Sequence, residues 1–313
     1  MDIVIAFVHY FYTHMNRTAE INQGTSSQSI LLPPDMAVKA VDAAVQKTYN
    51  GSIKTAALSV LAGAFIALGA IFSTLATSGS SMDYGIAKLI AGLTFSLGLI
   101  LVVAGGAELF TGNNLMVMAR ASHRITSRQL LTNWILVYFG NMAGAFSLVL
   151  LILISGHQNL GEGVVGANIL NIASAKCQLG FIQALSLGIL CNILVCLAIW
   201  LSYSASSLTG KVLAILFPVT AFVAAGFEHS VANMYFIPAG IMVKNYAAAD
   251  FWTMIQQSPA DIHMLNWKNY FLSNLLPVSI GNIIGGALFV GAAYWFIYLS
   301  KWSKPTSLPF KQT

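Results

Sequence analysis

Three ionisable side chains, Glu108, Glu228 and His229, stand in stretches of sequence otherwise apolar enough to lie in lipid. A charged side chain at the centre of a bilayer costs at least about 2.5 kcal/mol on the gentlest insertion scale, so such residues mark either a polar cluster that holds the fold or a conduit. Each glutamate is followed five positions later by asparagine, Asn113 and Asn233, within Ala107-Glu108-Leu109-Phe110-Thr111-Gly112-Asn113-Asn114 and Gly226-Phe227-Glu228-His229-Ser230-Val231-Ala232-Asn233. Polar residues in the middle of an apolar span break the helix, leaving unpaired N–H groups at the positive end of the half-helix that follows. The predicted role of Glu108 and Glu228, with Asn113 and Asn233 beside them, is structural: a carboxylate at a break accepts hydrogen bonds from those freed N–H groups. The same half-helix ends favour an anion over a cation. His229 adds a group whose charge changes near neutrality; standing alone, it would read as a buried imidazole bonded to a carbonyl. A permanent anion pays heavily to leave water in a narrow apolar passage, and a protonatable ring offers a way round that cost. The residues therefore predict passage of a small monovalent weak acid.

The surrounding elements are those of a membrane protein. Of 313 residues, 57% are hydrophobic and only 8% charged, with a mean hydropathy of +0.74, whereas soluble domains carry about 25% charged residues. A cytosolic enzyme, a disordered tail and a nucleic-acid module are excluded. Six segments are long and apolar enough to cross the hydrocarbon: roughly 55–77, 87–110, 131–155, 180–203, 211–225 running on to 243, and 271–299. The second and fifth carry the two interruptions, and the helices after them carry Gly140-Asn141-Met142-Ala143-Gly144 and Gly281-Asn282-Ile283-Ile284-Gly285. The predicted fold is an all-α membrane protein of six transmembrane helices, an inverted repeat of three spans each with spans 2 and 5 broken, because an odd number of spans turns the second copy over. The glycine spacings permit close helix contact, within a protomer as readily as between protomers. Cys177, Cys191 and Cys196 read as packing thiols. No nucleophile–base pair or metal-ligand cluster occurs within the spans, so no catalytic residue, cofactor or metal is predicted.

Orientation follows from the basic residues. With both termini cytoplasmic, the inside collects Arg17, Lys39, Lys47, Lys54, Arg120, Arg124, Arg128, Lys211, Lys301, Lys304 and Lys311, and the outside only Lys88, Lys176, Lys244 and Lys268; short loops on the cytoplasmic side carry such an excess. The outer four are balanced by Asp83, Glu162, Asp250 and Asp261. Residues 1–34 are predicted to form a poorly ordered or interfacial extension. Their first 14 residues lack the basic flank and cleavage site of a signal peptide, and they read either as an interfacial segment or as an over-long start ahead of Met15 or Met36. A cytoplasmic helix over 35–50, capped by Asp35, should bury Ala37, Val38, Val41, Ala44 and Val45. Residues 51–300 then form the channel domain and 301–313 a cytoplasmic tail. Trp252, Trp267 and Tyr270 are expected at headgroup level in an outer loop.

The chain resembles the formate/nitrite transporter family nearly without gaps from about Leu31 to Leu299, through Phe95-Ser96-Leu97-Gly98-Leu99-Ile100, Glu108-Leu109-Phe110-Thr111, Tyr138-Phe139-Gly140-Asn141, Cys191-Asn192-Ile193-Leu194-Val195-Cys196, the Gly226–Asn233 segment and Gly281-Asn282-Ile283-Ile284-Gly285-Gly286. The resemblance implies an aquaporin-like fold in the cytoplasmic (inner) membrane, assembled as a homopentamer in which every protomer has its own pore. It implies that His229 is the central pore histidine, with Thr111 and Asn192 as hydrogen-bonding partners at the substrate site. It implies that Lys176 makes the outer vestibule positive, and that Phe95, Leu99, Phe110, Val195 and Phe222 form the apolar constrictions, each of which reads equally well as core packing. The implied cargo is formate, moved with a proton. Nitrite, hydrosulfide, acetate and lactate share its size and charge closely enough to compete. The N-terminal 30 or so residues and Gly112-Asn113-Asn114 depart from the family's formate-type pattern. A neutral-solute channel of similar fold is the rival from another class; such channels use paired asparagine motifs and a filter arginine, and no Arg follows Arg128.

Overall fold

The computed structural model describes residues 30–300, so residues 1–29 of the predicted extension and the 301–313 tail lie outside the described residues. Every regular element among the described residues is helical. In chain order these are α1 (Pro33–Tyr49), α2 (Ser52–Thr77), α3 (Tyr84–Ala104), a 3-10 turn (Gly112–Met116), α4 (Val117–Ala121), α5 (Ser127–Ile154), a 3-10 turn (His157–Asn159), α6 (Val164–Cys177), α7 (Phe181–Ser204), α8 (Leu208–Ala224), α9 (Ser230–Tyr246), α10 (Ala249–Ile255) and a 3-10 turn (Pro259–Ile262). The last stretch alternates α and π: α11 (Trp267–Asn269), π (Tyr270–Leu275), α12 (Leu276–Ile283), π (Ile284–Ala292) and α13 (Ala293–Leu299). Long helices α2, α3, α5 and α7 and the stretch within Pro259–Leu299 are each long and apolar enough to cross a membrane. Helix α8, with 17 residues, is apolar but shorter.

Local chemistry accounts for several boundaries. Thr126 and Gln129 close a capping box that starts α5, and the Ser207 hydroxyl accepts from Gly210 N at the start of α8. Pro33 and Pro34 occupy the first helical positions of α1, so Leu32 holds the cap position and Asp35 lies in the first turn instead of capping. The buried face of α1 is Met36, Ala37, Ala40, Val41 and Ala44. Val38 is exposed, contrary to the predicted stripe, because the three- and four-residue steps that share a face run through 37, 40, 41 and 44. That face packs on Leu115, Met118, Ala119, Trp200 and Val290.

Two packing units repeat. Helix α2 packs against α5 and α3, and α7 against α12 and α8. The glycine motifs make these contacts within the chain: Gly144 lies against the Val60 carbonyl of α2, and Gly281 and Gly285 against the Leu185 and Ile189 carbonyls of α7. A β-carbon at any of the three would collide with backbone, which is why small residues stand there.

The segment between α5 and α7 contains α6, whose Val165, Ile169, Ala173 and Cys177 recur every four residues on a buried face against α9. The outer aromatics differ from the expectation, since Tyr270 is fully buried and its ring lies 5.8 Å from Trp267 and 4.6 Å from Phe271.

Candidate transport pathway

Helices α3 and α8 stop in the same way. The Gly105 and Ala225 amides bond back to the Leu101 and Ala221 carbonyls; Ala107 and Phe227 bond to Val102 and Phe222. Between them Gly106 and Gly226 take φ values of +68° and +73°, the left-handed region open to glycine without steric cost. The chain then crosses to the neighbouring long helix, Glu108 N donating to the Leu58 carbonyl of α2 (3.2 Å) and Glu228 N to the Leu187 carbonyl of α7 (3.3 Å). Helices α3 and α8 thus end at Ala104 and Ala224, shortly before Glu108 and Glu228. Their downstream halves are unequal: a 3-10 turn with α4 follows the first, and the 17-residue α9 the second.

An asparagine staples each break. Asn141 Nδ2 donates to the Ser59 and Glu108 carbonyls at 2.8 and 2.9 Å, and its Oδ1 accepts from Phe110 N at 2.9 Å. Asn282 does the same with Gly188 O, Glu228 O and Ser230 N at 2.8, 3.0 and 2.9 Å. One freed N–H at each break, that of Phe110 and that of Ser230, is thus met by an amide, and the glutamates serve differently from the predicted way. Glu108 Oε2 accepts from Lys47 Nζ of α1 (2.9 Å) and Asn113 Nδ2 (2.6 Å). Glu228 accepts from Lys176 Nζ of α6 (2.7 Å), Asn233 Nδ2 (2.6 Å) and Asn274 Nδ2 (3.1 Å). Asn113 and Asn233 each also donate to a further asparagine, Asn133 and Asn274. Each buried carboxylate is therefore paired with a lysine and surrounded by amides, as burial of charge demands.

The breaks meet at His229. Its Nε2 is 2.9 Å from Thr111 Oγ1, and its Nδ1 accepts from Ala232 N at 3.0 Å, making the imidazole the N-cap of α9. A backbone N–H can only donate, so Nδ1 is the unprotonated nitrogen, the ring proton lies on Nε2, and Thr111 Oγ1 is its acceptor. That leaves the Thr111 hydroxyl hydrogen free. Asn192, predicted as a partner of the ring, instead donates to the Thr111 and Asn282 carbonyls at 3.2 and 2.6 Å; its buried Oδ1 has no partner. His229, Lys176, Glu228, Phe95, Phe222 and Lys88 line one cavity of about 420 Å³. The Phe95 and Phe222 rings meet edge to face at 5.8 Å, and Phe222 stacks on His229 at 5.9 Å.

Leu99 and Val195 are buried in the same core. Phe110 turns its ring toward α5, against Trp134 (6.3 Å) and Tyr138 (4.9 Å). The repeat offset that relates Glu108 to Glu228 relates Leu109 to His229. Leu109, not selected from the sequence, is thus the counterpart of the histidine, a correspondence visible once the two breaks are superposed by their glutamates.

An all-helical membrane transport protein is the class these features define. The chain belongs to the formate/nitrite transporter family, whose description "Formate/nitrite transporter" matches residues 34–296. It is 48% identical over 271 residues to the formate channel FocA of Escherichia coli K12, covering 86% of this chain and 95% of the relative. It is 40% identical over 274 residues to formate channel FocA of Haemophilus influenzae, covering 87% and 96%. A solved structure described as a pentameric formate channel with formate bound superposes with a TM-score of 0.76 at 45% identity, covering 80% of this chain and 98% of the other. These relatives are channels, not enzymes.

Proposed function

We propose that the protein is a formate channel of the cytoplasmic (inner) membrane, with six spans of which the second and fifth are broken, both termini cytoplasmic, and five copies assembled with a pore in each. The bond-for-bond repetition of the two breaks supports the inverted repeat, and α8 with α9 supplies the length of the fifth crossing. Formate and the pentamer are carried over from relatives of high identity named for them.

The observation that carries the mechanism is His229, on the wall of a cavity also lined by Phe95 and Phe222, with buried Thr111 bonded behind it. Formate enters the cavity, passes the two phenylalanines and meets the free Thr111 hydroxyl. It takes a proton brought into the vestibule as hydronium, leaving water behind, and neutral formic acid crosses the inner constriction of Leu99, Val195 and Leu109. The unpartnered Asn192 Oδ1 is an acceptor for the acid's new O–H. Neutralising the anion removes a desolvation penalty of several kcal/mol. His229 acts as a neutral donor through Nε2: an imidazolium would set a second N–H against that of Ala232. Lys47 and Lys176 clamp the breaks through the glutamates.

Replacement of His229 by Phe, measured as uptake into proteoliposomes, should abolish proton-coupled formate entry while the assembly elutes unchanged. Unaltered uptake removes His229 from the mechanism. A panel of formate, nitrite, hydrosulfide, acetate, lactate and glycerol at about pH 5 and about pH 7, on either side of the imidazole's ordinary range, ranks the cargoes.

A further inference from the structure

We propose that Lys88, rather than Lys176, supplies the uncompensated positive charge that draws small monovalent anions into the vestibule. The inference rests on the channel reading above. Among the residues lining the cavity, the charged groups are Lys88, Lys176 and Glu228, with His229 beside them. Lys176 Nζ sits 2.7 Å from Glu228 Oε1, their side chains 16% and 6% exposed. The pair is a short dipole: its field falls off much faster with distance than that of a single charge, and an arriving anion meets almost none of it. Separating the pair to free the lysine would abandon a buried carboxylate, which is expensive. The His229 ring, as N-cap of α9, brings no charge.

Lys88 differs on each count. It lies in the second turn of α3, half-buried, and borders the same cavity. Among the described residues no carboxylate lies within 4.0 Å of it, the ion pairs being Lys47–Glu108, Arg124–Asp42 and Lys176–Glu228. Asp83, exposed at the start of α3, joins no ion pair and does not line the cavity. Lys88 Nζ stands 5.4 Å over the Tyr84 ring, a contact that holds an ammonium in position without neutralising it. The net positive charge of the vestibule lining is therefore that of Lys88, and apolar walls of Phe95, Phe222, Phe227 and Phe236 concentrate its field along the approach. The task is electrostatic steering and local enrichment of the anion, distinct from the chemistry at His229.

The test uses the full chain in proteoliposomes, measuring initial formate influx against concentration for wild type, Lys88→Gln, Lys88→Arg and Lys88→Glu. At about 10 mM ionic strength, where screening extends to about 30 Å, Lys88→Gln should lower influx at subsaturating formate about three- to tenfold, Lys88→Glu more, and Lys88→Arg hardly at all. The loss should appear as a raised half-saturation concentration with maximal flux kept. It should shrink below about twofold near 1 M salt, where screening acts within about 3 Å. Equal influx for Lys88→Gln and wild type at low salt overturns the proposal, as does a loss that salt leaves unchanged or that Lys88→Arg shares. Absence of formate influx in wild type would instead overturn the channel reading. Lys88→Cys gives a second route in protein already folded, since Cys177, Cys191 and Cys196 are buried. A cationic thiosulfonate adduct at that position should restore influx and an anionic one depress it; identical influx from both overturns the proposal.

Discussion

Replacing Lys176 by Met isolates a carboxylate that the fold has buried. The Glu228 side chain is 6% exposed and would keep only the Asn233 and Asn274 amides, at 2.6 and 3.1 Å. At the 2.7 Å separation of the pair, and an effective dielectric of about 20, the gross attraction is about 6 kcal/mol. Desolvation of both ions consumes much of that, so the cost of removing one partner is about 3–5 kcal/mol. The reverse change should cost less. In Glu228→Gln the remaining lysine, 16% exposed, reaches water through the cavity, and the amide keeps a hydrogen bond, for a loss of about 1.5–3 kcal/mol, the scale of one charged hydrogen bond. The double variant Lys176→Met/Glu228→Gln should be no less stable than Lys176→Met alone, which requires a coupling energy of about 3 kcal/mol, matching the whole cost of Glu228→Gln and at the top of the range for residues in contact. Denaturant midpoints of the purified protein in mild detergent, with flux into proteoliposomes as a parallel measure, give the cycle. Strict additivity of the two single changes, or a larger loss from Glu228→Gln than from Lys176→Met, would refute the argument. The mirrored pair sharpens it: Glu108 is 5% exposed and would keep only the Asn113 amide, so Lys47→Met should cost at least as much as Lys176→Met.

Asn141→Ala and Asn282→Ala each delete three buried hydrogen bonds and should each cost about 3 kcal/mol, at about 1 kcal/mol per bond; equal midpoint shifts for the two would reflect the repeat, and no shift would show the staples to be dispensable. Gly106→Ala and Gly226→Ala meet open space, so only the φ values of +68° and +73° oppose them. A loss of about 1–2 kcal/mol in each, read from the same midpoints, is expected, and a stabilisation would contradict the left-handed turns.

The sequence by itself determined the solvent the chain lives in, the helical class and the family, and it marked where α3 and α8 stop. Hydropathy is a sum over many residues and tolerates local error, and the paired Glu–Asn spacing marks the breaks without help from long-range contacts. Through the family resemblance that their motifs carry, it also pointed to His229 and Thr111 as a pair, and the fold brings them within hydrogen-bonding distance. Tertiary structure alone decided what holds the breaks. Asn141 and Asn282 lie far along the chain from the carbonyls they bind, and Lys47 and Lys176 arrive from α1 and α6, so no local spacing could reveal that the glutamates answer lysines instead of backbone amides. Helix α6 was hidden because 14 residues of mixed small and apolar type resemble a loop until α9 is there to bury them. Phe110 faces α5 and Leu109 matches His229 because a break leaves helical periodicity, and with it any rule for which side chain points where. Which of two vestibule lysines stays unpaired is settled by the position of one carboxylate, a distance that sequence does not encode locally and folding does.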